Sequence, residues 1–489
     1  MATAAVKGRV NLRYLVNSVI AVAIMAFFRF IPPFGSLTPL GMTLLGIFIG
    51  LIYAWICVDM VWPSVLGLAM VGFTSYAEGG VASVFTAVIS NDVVQMLLWL
   101  LVFAAILTTS GISDQLAKRL VGSKLCKGRP WVLSVFIYLA ALICSSFGSG
   151  FAVVLVCWSF VYSISKEVGY TKKDKWPRMM IVGVVIGCVL GLAGMPFQPA
   201  VVGAFGYLFA ASGGTIQSFN YLEYIAFACL FFSVSSVLYF LLCRFIVNPD
   251  MSKLKKVVNV VAREPFDARQ RIAIASLLLL FAFMVVPSLL PEGAAKGFLD
   301  NVGMTAFVLA LAAGVSALRD GGGKPYFDFS LLCKEGIFWP MIFMIATAVY
   351  MGIALSSAGT GFNETVLAVF SPLLANSNPF LFCLMVSLIA LVLTNFLSNA
   401  VTSAITVPVV YPFAVALGIN PIVPVVLIIY ATEMGLLLPC SSPSAAMLYG
   451  NETWLTAKDI VQQGSIGILA AALALLVCIQ PAMALFTLP

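Results

Sequence analysis

The sequence predicts an all-α polytopic membrane protein, with about eleven transmembrane helices and two re-entrant helical hairpins in an inverted-topology repeat. Three observations lead to this prediction: the composition, the spacing of long apolar segments, and the distribution of Lys and Arg among the loops. Of the 489 residues, 62% are hydrophobic and 9% are charged, and the mean hydropathy is +1.08. A soluble domain of ordinary size cannot bury that much apolar surface, so the chain requires a lipid bilayer.

Charge and cysteine usage exclude several classes of protein. The net charge of +7 comes from Lys and Arg in a few loops, without the basic stripe that nucleic-acid binding requires, so we expect no nucleic-acid partner. The eleven Cys form no CxxC pair and the chain has no His, which argues against disulfide scaffolds, zinc sites and haem. Because His is the usual general base, we expect neither an enzyme nor a bound cofactor.

Apolar segments of about 20 residues are long enough to cross a bilayer. The predicted spans are residues 15–31, 40–58, 61–75, 91–112, 179–210, 222–247, 272–292, 303–318, 336–356, 421–448 and 460–487. Two further apolar stretches, 131–165 and 379–418, are too long for one helix, and small polar residues interrupt each near its middle. We predict that each of these stretches folds as a helical hairpin.

Basic loops predict the orientation, because cytoplasmic loops are enriched in Lys and Arg. Basic residues lie at 118–129 and at 166–178, on both sides of the first hairpin, so its two ends are expected in the cytoplasm. From Glu335 to Ala457 the chain has no Lys or Arg, so the ends of the second hairpin are expected outside. The prediction is a multi-pass protein of the cell membrane with a cytoplasmic amino terminus and an outer carboxyl terminus.

These signals divide the chain into four parts. The predicted parts are an N-terminal segment with the first helix (1–39), a first repeat with its cytoplasmic-side hairpin (40–250), a cytoplasmic linker (251–271), and a second repeat with its outer-side hairpin (272–489). Each repeat has five spans with a hairpin after the third, but the two repeats start on opposite sides. Such inverted repeats are typical of secondary transporters, because two mirrored halves supply two closures around one site.

The second hairpin contains a cluster of polar residues. Its run LVLTNFLSNAVTSAITVPVV places Thr394, Ser398, Asn399, Thr402 and Ser403 among apolar residues. A helix break there frees backbone groups at membrane depth, where protein or a water-filled cavity must satisfy them. Carbonyls, hydroxyls and an amide oxygen suit sodium, and amides at a helix start suit an anion. The alternative is that these side chains only hold helices together, but the break favours a binding site.

A proline-containing break follows each hairpin. The two runs are EMGLLLPCSSPSAAMLYG, with Pro439 and Pro443 around Ser441 and Ser442, and GLAGMPFQPAVVG, with Gly194, Pro196, Pro199 and the polar Gln198. Prolines this close interrupt helical hydrogen bonding, and the matched positions favour a shared midplane site over two simple kinks. Glu433 is the one carboxylate deep inside a predicted span. Protonation, cation binding and contact with the other half all stay open as its role.

The chain resembles the divalent anion:sodium symporter family of the ion transporter superfamily over nearly its whole length. The resemblance lies in LGIFIGLIYAWICVDMVWPS, TNFLSNAVTSA, and LPCSSPSAAMLYG followed by TAKDIVQQG. Members carry C4-dicarboxylates, citrate or sulfate. They hold substrate carboxylates at a Ser-Asn-Thr motif in each hairpin tip, and neighbouring carbonyls and side chains bind sodium. The resemblance therefore implies a small anionic substrate, sodium as the coupling ion, and a homodimer whose hairpin-bearing parts move against a scaffold.

Individual residues carry this resemblance. Ser398 and Asn399 match the first two motif positions, Thr394 matches an upstream sodium residue, and Ser442 stands where the family has a substrate-contacting Thr. The implied substrate residues are Ser146, Ser149, Ser398, Asn399, Thr402 and Ser442, and the implied cation residues are Thr394, Asn399, Ser441, Ser145 and Gly194. The chain departs from the motif at Ala400, and its first tip, residues 145–150, has no Asn. Fewer sodium ions, proton coupling and uncoupled exchange therefore all stay open.

The function that follows is elevator-type secondary active transport of a small divalent organic anion, a C4-dicarboxylate or a related di- or tricarboxylate, coupled to sodium. The alternatives are a sodium-independent or proton-coupled anion exchanger, a transporter of sulfate or another inorganic anion, a passive channel, and a membrane enzyme acting on a lipid-linked substrate. The enzyme would need a clustered acid/base pair, which a chain with no His and a single deep Glu433 lacks.

Overall fold

The structure is a computed structural model that describes residues 12–126, 128–148, 150–256, 265–291, 293–366, 368, 378–439 and 441–487. Within these ranges the regular structure is helical, apart from an isolated β-bridge between Arg319 and Pro325. The α-helices are α1 (Leu12–Phe27), α2 (Pro39–Cys57), α3 (Trp62–Gly72), α4 (Gly80–Ile89), α5 (Asp92–Thr109), α6 (Ile112–Val121), α7 (Pro130–Phe147), α8 (Gly150–Glu167), α9 (Lys175–Leu192), α10 (Pro199–Ala211), α11 (Tyr221–Leu242), α12 (Ala268–Leu289), α13 (Ala294–Ala317), α14 (Phe329–Gly336), α15 (Trp339–Ser356), α16 (Pro379–Leu393), α17 (Asn399–Ala416), α18 (Ile422–Thr432), α19 (Pro443–Gly450) and α20 (Ala457–Leu485).

Eleven of the described helices are long and apolar enough to cross a membrane, which confirms the predicted fold class. The membership of this set differs from the prediction. It includes α7 and α17, which we assigned to the first hairpin (α7 and α8) and the second hairpin (α16 and α17). The predicted span 61–75 contains the shorter helix α3, which ends at Gly72. The span 421–448 contains α18 and the start of α19, separated at the proline-containing break that was predicted there.

One predicted break is present, and one predicted boundary was wrong. The span 179–210 is two helices, α9 and α10, separated at the Gly- and Pro-containing break that was predicted there. The span 303–318 begins earlier, at the start of α13, and its predicted start is a kink where Gly303 has a φ of 68°. Glycine adopts this left-handed conformation without steric cost, so the chain bends there and continues as a helix.

Three short helices, α4, α6 and α14, were not predicted, because none of them is an apolar run of membrane length. Their lengths are 10, 10 and 8 residues. The first turn of α6 contains Asp114 and its last turn contains Lys118 and Arg119, so this helix has no continuous apolar run. Helices of this kind are amphipathic, and periodicity rather than mean hydropathy identifies them.

Burial decreases from the centre of the molecule to its edge. In α9, 83% of the membrane-spanning residues are buried, whereas the corresponding shares are 11% for the segment containing α1 and 17% for α13. All of α18 from Val423 to Thr432 is buried as well. Helices α9 and α18 therefore form the centre, and α1 and α13 present apolar side chains at the periphery, where lipid is the expected solvent.

Helix packing brings the two halves together at the centre. Helix α7 of the first hairpin packs along α9, and α16 of the second hairpin packs along α18 and α20. Helix α10 of the first half packs against α15 and α17 of the second half. Each hairpin thus lies beside the broken span that follows it in the chain, and α10 joins the two halves.

The contact between α9 and the first hairpin depends on Gly191. A Cβ at this position would lie 2.0 Å from Ser145 Oγ and 2.2 Å from the carbonyl oxygen of Leu142. Because the hairpin backbone cannot move aside easily, we expect Gly191→Ala to lower the free energy of unfolding by about 1–3 kcal/mol. Intrinsic fluorescence during thermal unfolding in detergent measures the loss.

Gly314→Ala in α13 is the matched control, because no atom of another segment lies within 4 Å of its Cβ position. Alanine favours a helix over glycine by about 1 kcal/mol. The control protein should therefore melt at or above the wild-type temperature. Equal destabilisation by the two substitutions would contradict the close packing of α9 on the first hairpin.

Candidate functional site

Two adjoining cavities lie between the hairpins and the broken spans. Their volumes are about 520 Å³ and about 220 Å³. Both are lined by Pro199, Ala200, Phe338, Met341 and Glu433. The tip of the first hairpin borders the larger cavity through Gly148 and Gly150, and the tip of the second borders the smaller one through Ser398 and Asn399. The fold therefore brings both hairpin tips to one region of the molecule.

Four helices begin at these cavities. Gly150 starts α8, Pro199 starts α10, Asn399 starts α17 and Pro443 starts α19, and each of these residues lines at least one cavity. The amino terminus of a helix carries unpaired N–H groups and a partial positive charge, which favour an anion. Among the described residues that line either cavity, none is Lys or Arg. The positive potential available for an anion here comes from the backbone.

Asn395 stabilises the break that follows α18. Its Oδ1 accepts hydrogen bonds from the backbone N–H groups of Leu436 and Leu437, both at 3.1 Å, and its Nδ2 donates to the carbonyl of Leu391 at 2.8 Å. The two N–H groups belong to the non-helical segment after α18, where helical partners are lost. Asn395 lies in the run TNFLSNA but had no predicted role, since these two N–H groups lie about forty residues away in the chain.

Three oxygen atoms of the second hairpin converge beside Gly435. Thr394 Oγ1 lies 3.0 Å from Asn399 Oδ1 and 2.5 Å from the carbonyl oxygen of Thr432. A Cβ on Gly435 would lie 2.8 Å from Asn399 Oδ1, 2.8 Å from the carbonyl oxygen of Thr394 and 3.1 Å from Thr394 Oγ1. Hydroxyl, amide and carbonyl oxygens are ligands for hard cations. The structure thus brings together two of the predicted cation residues, Thr394 and Asn399.

Glu433 lies at the boundary of the two cavities. Its side chain is buried, with 4% of the residue exposed, and its Oε2 accepts a hydrogen bond of 3.3 Å from Asn399 Nδ2. The ion pairs recorded in the described part of the chain are Arg178–Asp459 and Lys253–Asp174, so Glu433 takes part in neither. Glu433 thus contacts the second hairpin of its own half through Asn399. Protonation, cation binding and contact with the other half stay predictions for its role.

The hydroxyls of Thr402, Ser441 and Ser442, three other predicted residues of the second half, form hydrogen bonds with backbone groups. Thr402 Oγ1 donates to the carbonyl of Ser398 at 3.0 Å, and Ser441 Oγ donates to the carbonyl of Leu438 at 2.7 Å. Ser442 is the N-cap of α19, since its Oγ accepts from the N–H of Ala445 at 3.0 Å and donates to the carbonyl of Gly435 at 2.6 Å. Thr402, Ser441 and Ser442 are not among the residues that line the two cavities.

In the first hairpin the predicted residues also face protein. Ser145 Oγ lies 2.9 Å from the carbonyl oxygen of Cys188, and Ser146 Oγ donates to the carbonyl of Leu142 at 2.9 Å. A Cβ on Gly194 would lie 2.8 Å from Ser146 Oγ, so Gly194 packs directly on the tip. Ser149 lies outside the described residues. The binding roles of these four residues stay predictions.

Some cavity residues lie outside the sets implied to bind substrate or cation. Ser403, from the predicted polar cluster of the second hairpin, lines the smaller cavity, and its Oγ lies 3.2 Å from Thr432 Oγ1. Gln198, the polar residue of the first predicted break, lines the larger cavity. Phe338 and Met341 line both cavities. In an apolar span these two residues look like any others, so no sequence signal separates them from core residues.

Removing Asn395 should disrupt the second break. Asn395→Ala leaves the N–H groups of Leu436 and Leu437 without their side-chain acceptor, and a buried unsatisfied donor costs about 1–3 kcal/mol. We expect a clear fall in the melting temperature of the purified protein. Asn301→Ala, at an exposed position in α13, is the matched control and should change it little. An Asn395→Ala protein that melts like the control would refute this role.

Comparison with known protein families supports this organisation. Residues 48–322, more than half of the chain, match the citrate transporter family. Residues 233–488 match the DctM component of tripartite ATP-independent periplasmic transporters. The two matches overlap and together extend from α2 to the end of α20, so they include both hairpins and both breaks.

Curated relatives are distant. An uncharacterized transporter of Methanocaldococcus jannaschii is 24% identical over 258 residues, which are 51% of this chain and 55% of the relative. An uncharacterized transporter of Synechocystis is 28% identical over 116 residues, 23% of this chain and 18% of the relative. The chain thus spans about half the length of the first relative and less of the second.

Two solved structures share the fold. The YdaH transporter of Alcanivorax borkumensis superposes with a TM-score of 0.57 at 15% identity, over 84% of this chain and 91% of that one. MtrF of Neisseria gonorrhoeae superposes with a TM-score of 0.58 at 12% identity, over 95% and 94%. Both are membrane transporters. By the match of residues 48–322, the chain belongs to the citrate transporter family of the ion transporter superfamily, and its matches fit the resemblance to the divalent anion:sodium symporter family.

Proposed function

We propose that this chain is a secondary active transporter of small divalent organic anions, C4-dicarboxylates or related di- and tricarboxylates, coupled to sodium. The observation that carries the proposal is that helix starts from both halves meet at two cavities with a shared wall at Glu433. A site built from two opposed halves is what alternating access requires, because each half supplies one closure.

The size and polarity of the smaller cavity support a small anion. Its volume of about 220 Å³ is below the roughly 300–1,000 Å³ of sites for drug-sized ligands. The starts of α10, α17 and α19 face it from the two halves, and Ser398 and Asn399 lie at the start of α17. Two carboxylates of one substrate would thereby meet helix starts on opposite sides.

A cation beside Asn399 would favour binding of that anion. Glu433 lines the same cavity, and two unit charges of like sign about 4 Å apart repel by about 4 kcal/mol at an effective dielectric constant of 20. A sodium ion on the oxygens of Thr394 and Asn399 would offset this repulsion. Anion and sodium binding would then depend on each other, which is the condition for symport.

Contacts between the halves support movement of the two hairpins as one body, because they join the first hairpin to α20 and α16 of the second hairpin packs along α20. Arg178 at the start of α9 forms an ion pair of 2.5 Å with Asp459 at the start of α20. Asn451 donates to Tyr162 Oη at 2.7 Å, and the Tyr162 ring stacks on Trp454 at 5.9 Å between centroids. These contacts fix α8 and α9 to α19 and α20, as an elevator-type movement requires. A homodimer and a cytoplasmic amino terminus belong to the same proposal.

Ligand stabilisation and uptake test the proposal together. We expect succinate, fumarate, citrate or tartrate to raise the melting temperature in sodium chloride more than in choline chloride, because a ligand stabilises the folded state that binds it. A ligand concentration of 100 times the Kd stabilises by about 2.7 kcal/mol. The same anion should accumulate in proteoliposomes along an inward sodium gradient, and sulfate tests the inorganic alternative.

Asn399→Ala should abolish both the sodium-dependent stabilisation and the uptake. Asn301→Ala is again the control and should transport like the wild type. Full uptake by the Asn399→Ala protein would refute the site. Anion uptake that ignores sodium would refute the sodium coupling and favour exchange or proton coupling instead.

A further inference from the structure

The first hairpin pairs its terminal carbonyls with a side-chain amide. The last carbonyls of a helix lack helical partners and need another donor or a cation. At the end of α7, the carbonyls of Ser145 and Ser146 accept hydrogen bonds from Gln198 Nε2 at 3.1 and 2.8 Å. Both N–H groups of this amide are therefore directed at the hairpin.

The position of Gln198 is fixed by its own backbone. It is the residue before α10, its N–H donates to the carbonyl of Met195 at 3.0 Å, and its carbonyl accepts from Val201 and Val202, each at 3.0 Å. Only 6% of the residue is exposed, although it lines the larger cavity. The amide is thus a built part of the first half.

The second hairpin has a different arrangement at its tip. The amide of Asn395 donates to the carbonyl of Leu391 within its own helix, and the amide of Asn399 donates to Glu433 Oε2. The carbonyl oxygen of Thr394 and Asn399 Oδ1 instead face one point beside Gly435. Among the hydrogen bonds of the described residues, none has the Thr394 carbonyl as acceptor. The carbonyls at the first tip thus accept from the amide of Gln198, whereas the Thr394 carbonyl at the second tip has no recorded donor among the described residues.

We infer that the side-chain amide of Gln198 takes the place of a coupling cation in the first half, so that this transporter binds one sodium ion, at the second hairpin. The inference rests on the proposed function and deepens it. A covalently held amide supplies partial positive charge to the carbonyls of Ser145 and Ser146 throughout the cycle. With one sodium ion and a dianion, each cycle moves one net negative charge.

Counting bound sodium tests the inference without transport. Equilibrium dialysis of the purified protein against radioactive sodium chloride, with choline chloride holding the ionic strength constant, should give one saturable ion per chain. Asn399→Ala should give none. Gln198→Glu replaces the amide donor with a carboxylate that faces two carbonyls. These oxygens would form a second cation site, so this variant should bind two sodium ions per chain.

Gln217→Glu is the matched control. This exposed residue donates from its Nε2 to the carbonyl of Gly214, away from both cavities, and the substitution should leave one ion. Size-exclusion profiles and melting temperatures check that each variant is folded. If Gln198→Glu does not fold, the numbers of sodium ions bound by the wild type and by Asn399→Ala still test the inference.

Two saturable ions in the wild type, or one ion that survives Asn399→Ala, would overturn the inference. A Gln198→Glu protein that folds and still binds one ion would overturn it as well. Anion uptake combined with two bound ions leaves the proposed function intact and removes only the inference. Absence of both uptake and saturable sodium binding would remove the two together.

Discussion

Backbone hydrogen bonding in the absence of water is the constraint on which the structure depends. A helix that ends inside a bilayer leaves N–H and C=O groups unpaired, and lipid cannot pair them. This chain has four such places: two hairpin tips and two broken spans. Asn395 accepts hydrogen bonds from the backbone N–H groups of the break after α18, and Gln198 donates to the carbonyls at the tip of the first hairpin. Ser442 caps α19. The starts of α8, α10, α17 and α19 lie at the two cavities, where a ligand or water has access.

This constraint also underlies the proposed anion site, since none of the described residues that line the cavities is Lys or Arg. In the proposal, backbone N–H groups at helix starts provide the positive potential, and their positions are set by the breaks. The carboxyl groups that line the cavities belong to Glu335 and Glu433, and Glu433 accepts from Asn399. Beside these carboxyl groups, binding of an anion together with a cation would be favoured over binding of the anion alone, which is the electrostatic basis of the proposed coupling.

Much of the fold was predictable from the sequence, because lipid restricts the chain to apolar helices of membrane length. Apolar runs predicted the fold class, and Pro and Gly located the broken spans, since these residues disrupt helices locally. The amphipathic helix α6 has no continuous apolar run, and α4 and α14 are too short to cross a bilayer, so membrane-length apolar runs predicted none of the three. The kink at Gly303 was predicted as the start of a span because a glycine conformation leaves no trace in hydropathy.

The candidate site was less predictable. The grouping of Thr394 and Asn399 was foreseen from the family resemblance, and the two residues lie only five positions apart in the chain. The partners of Asn395 and Gln198 lie roughly forty to fifty residues away, so their roles depend on the packed fold. Ser441 and Ser442 were predicted to bind ligand, which stays a prediction, and the structure shows their hydroxyls bonded to nearby carbonyls. Local sequence does not distinguish a hydroxyl that binds a ligand from one that caps a helix.

The central claim is that both halves close on one anion between their helix starts. A structure by electron cryo-microscopy, in lipid nanodiscs with sodium and the anion that stabilises the protein most, tests it directly. The account predicts density for the anion in the smaller cavity, between Ser398 and Asn399 at the start of α17 and Pro199 at the start of α10. Anion density bounded by one half alone, or outside both cavities, would contradict it.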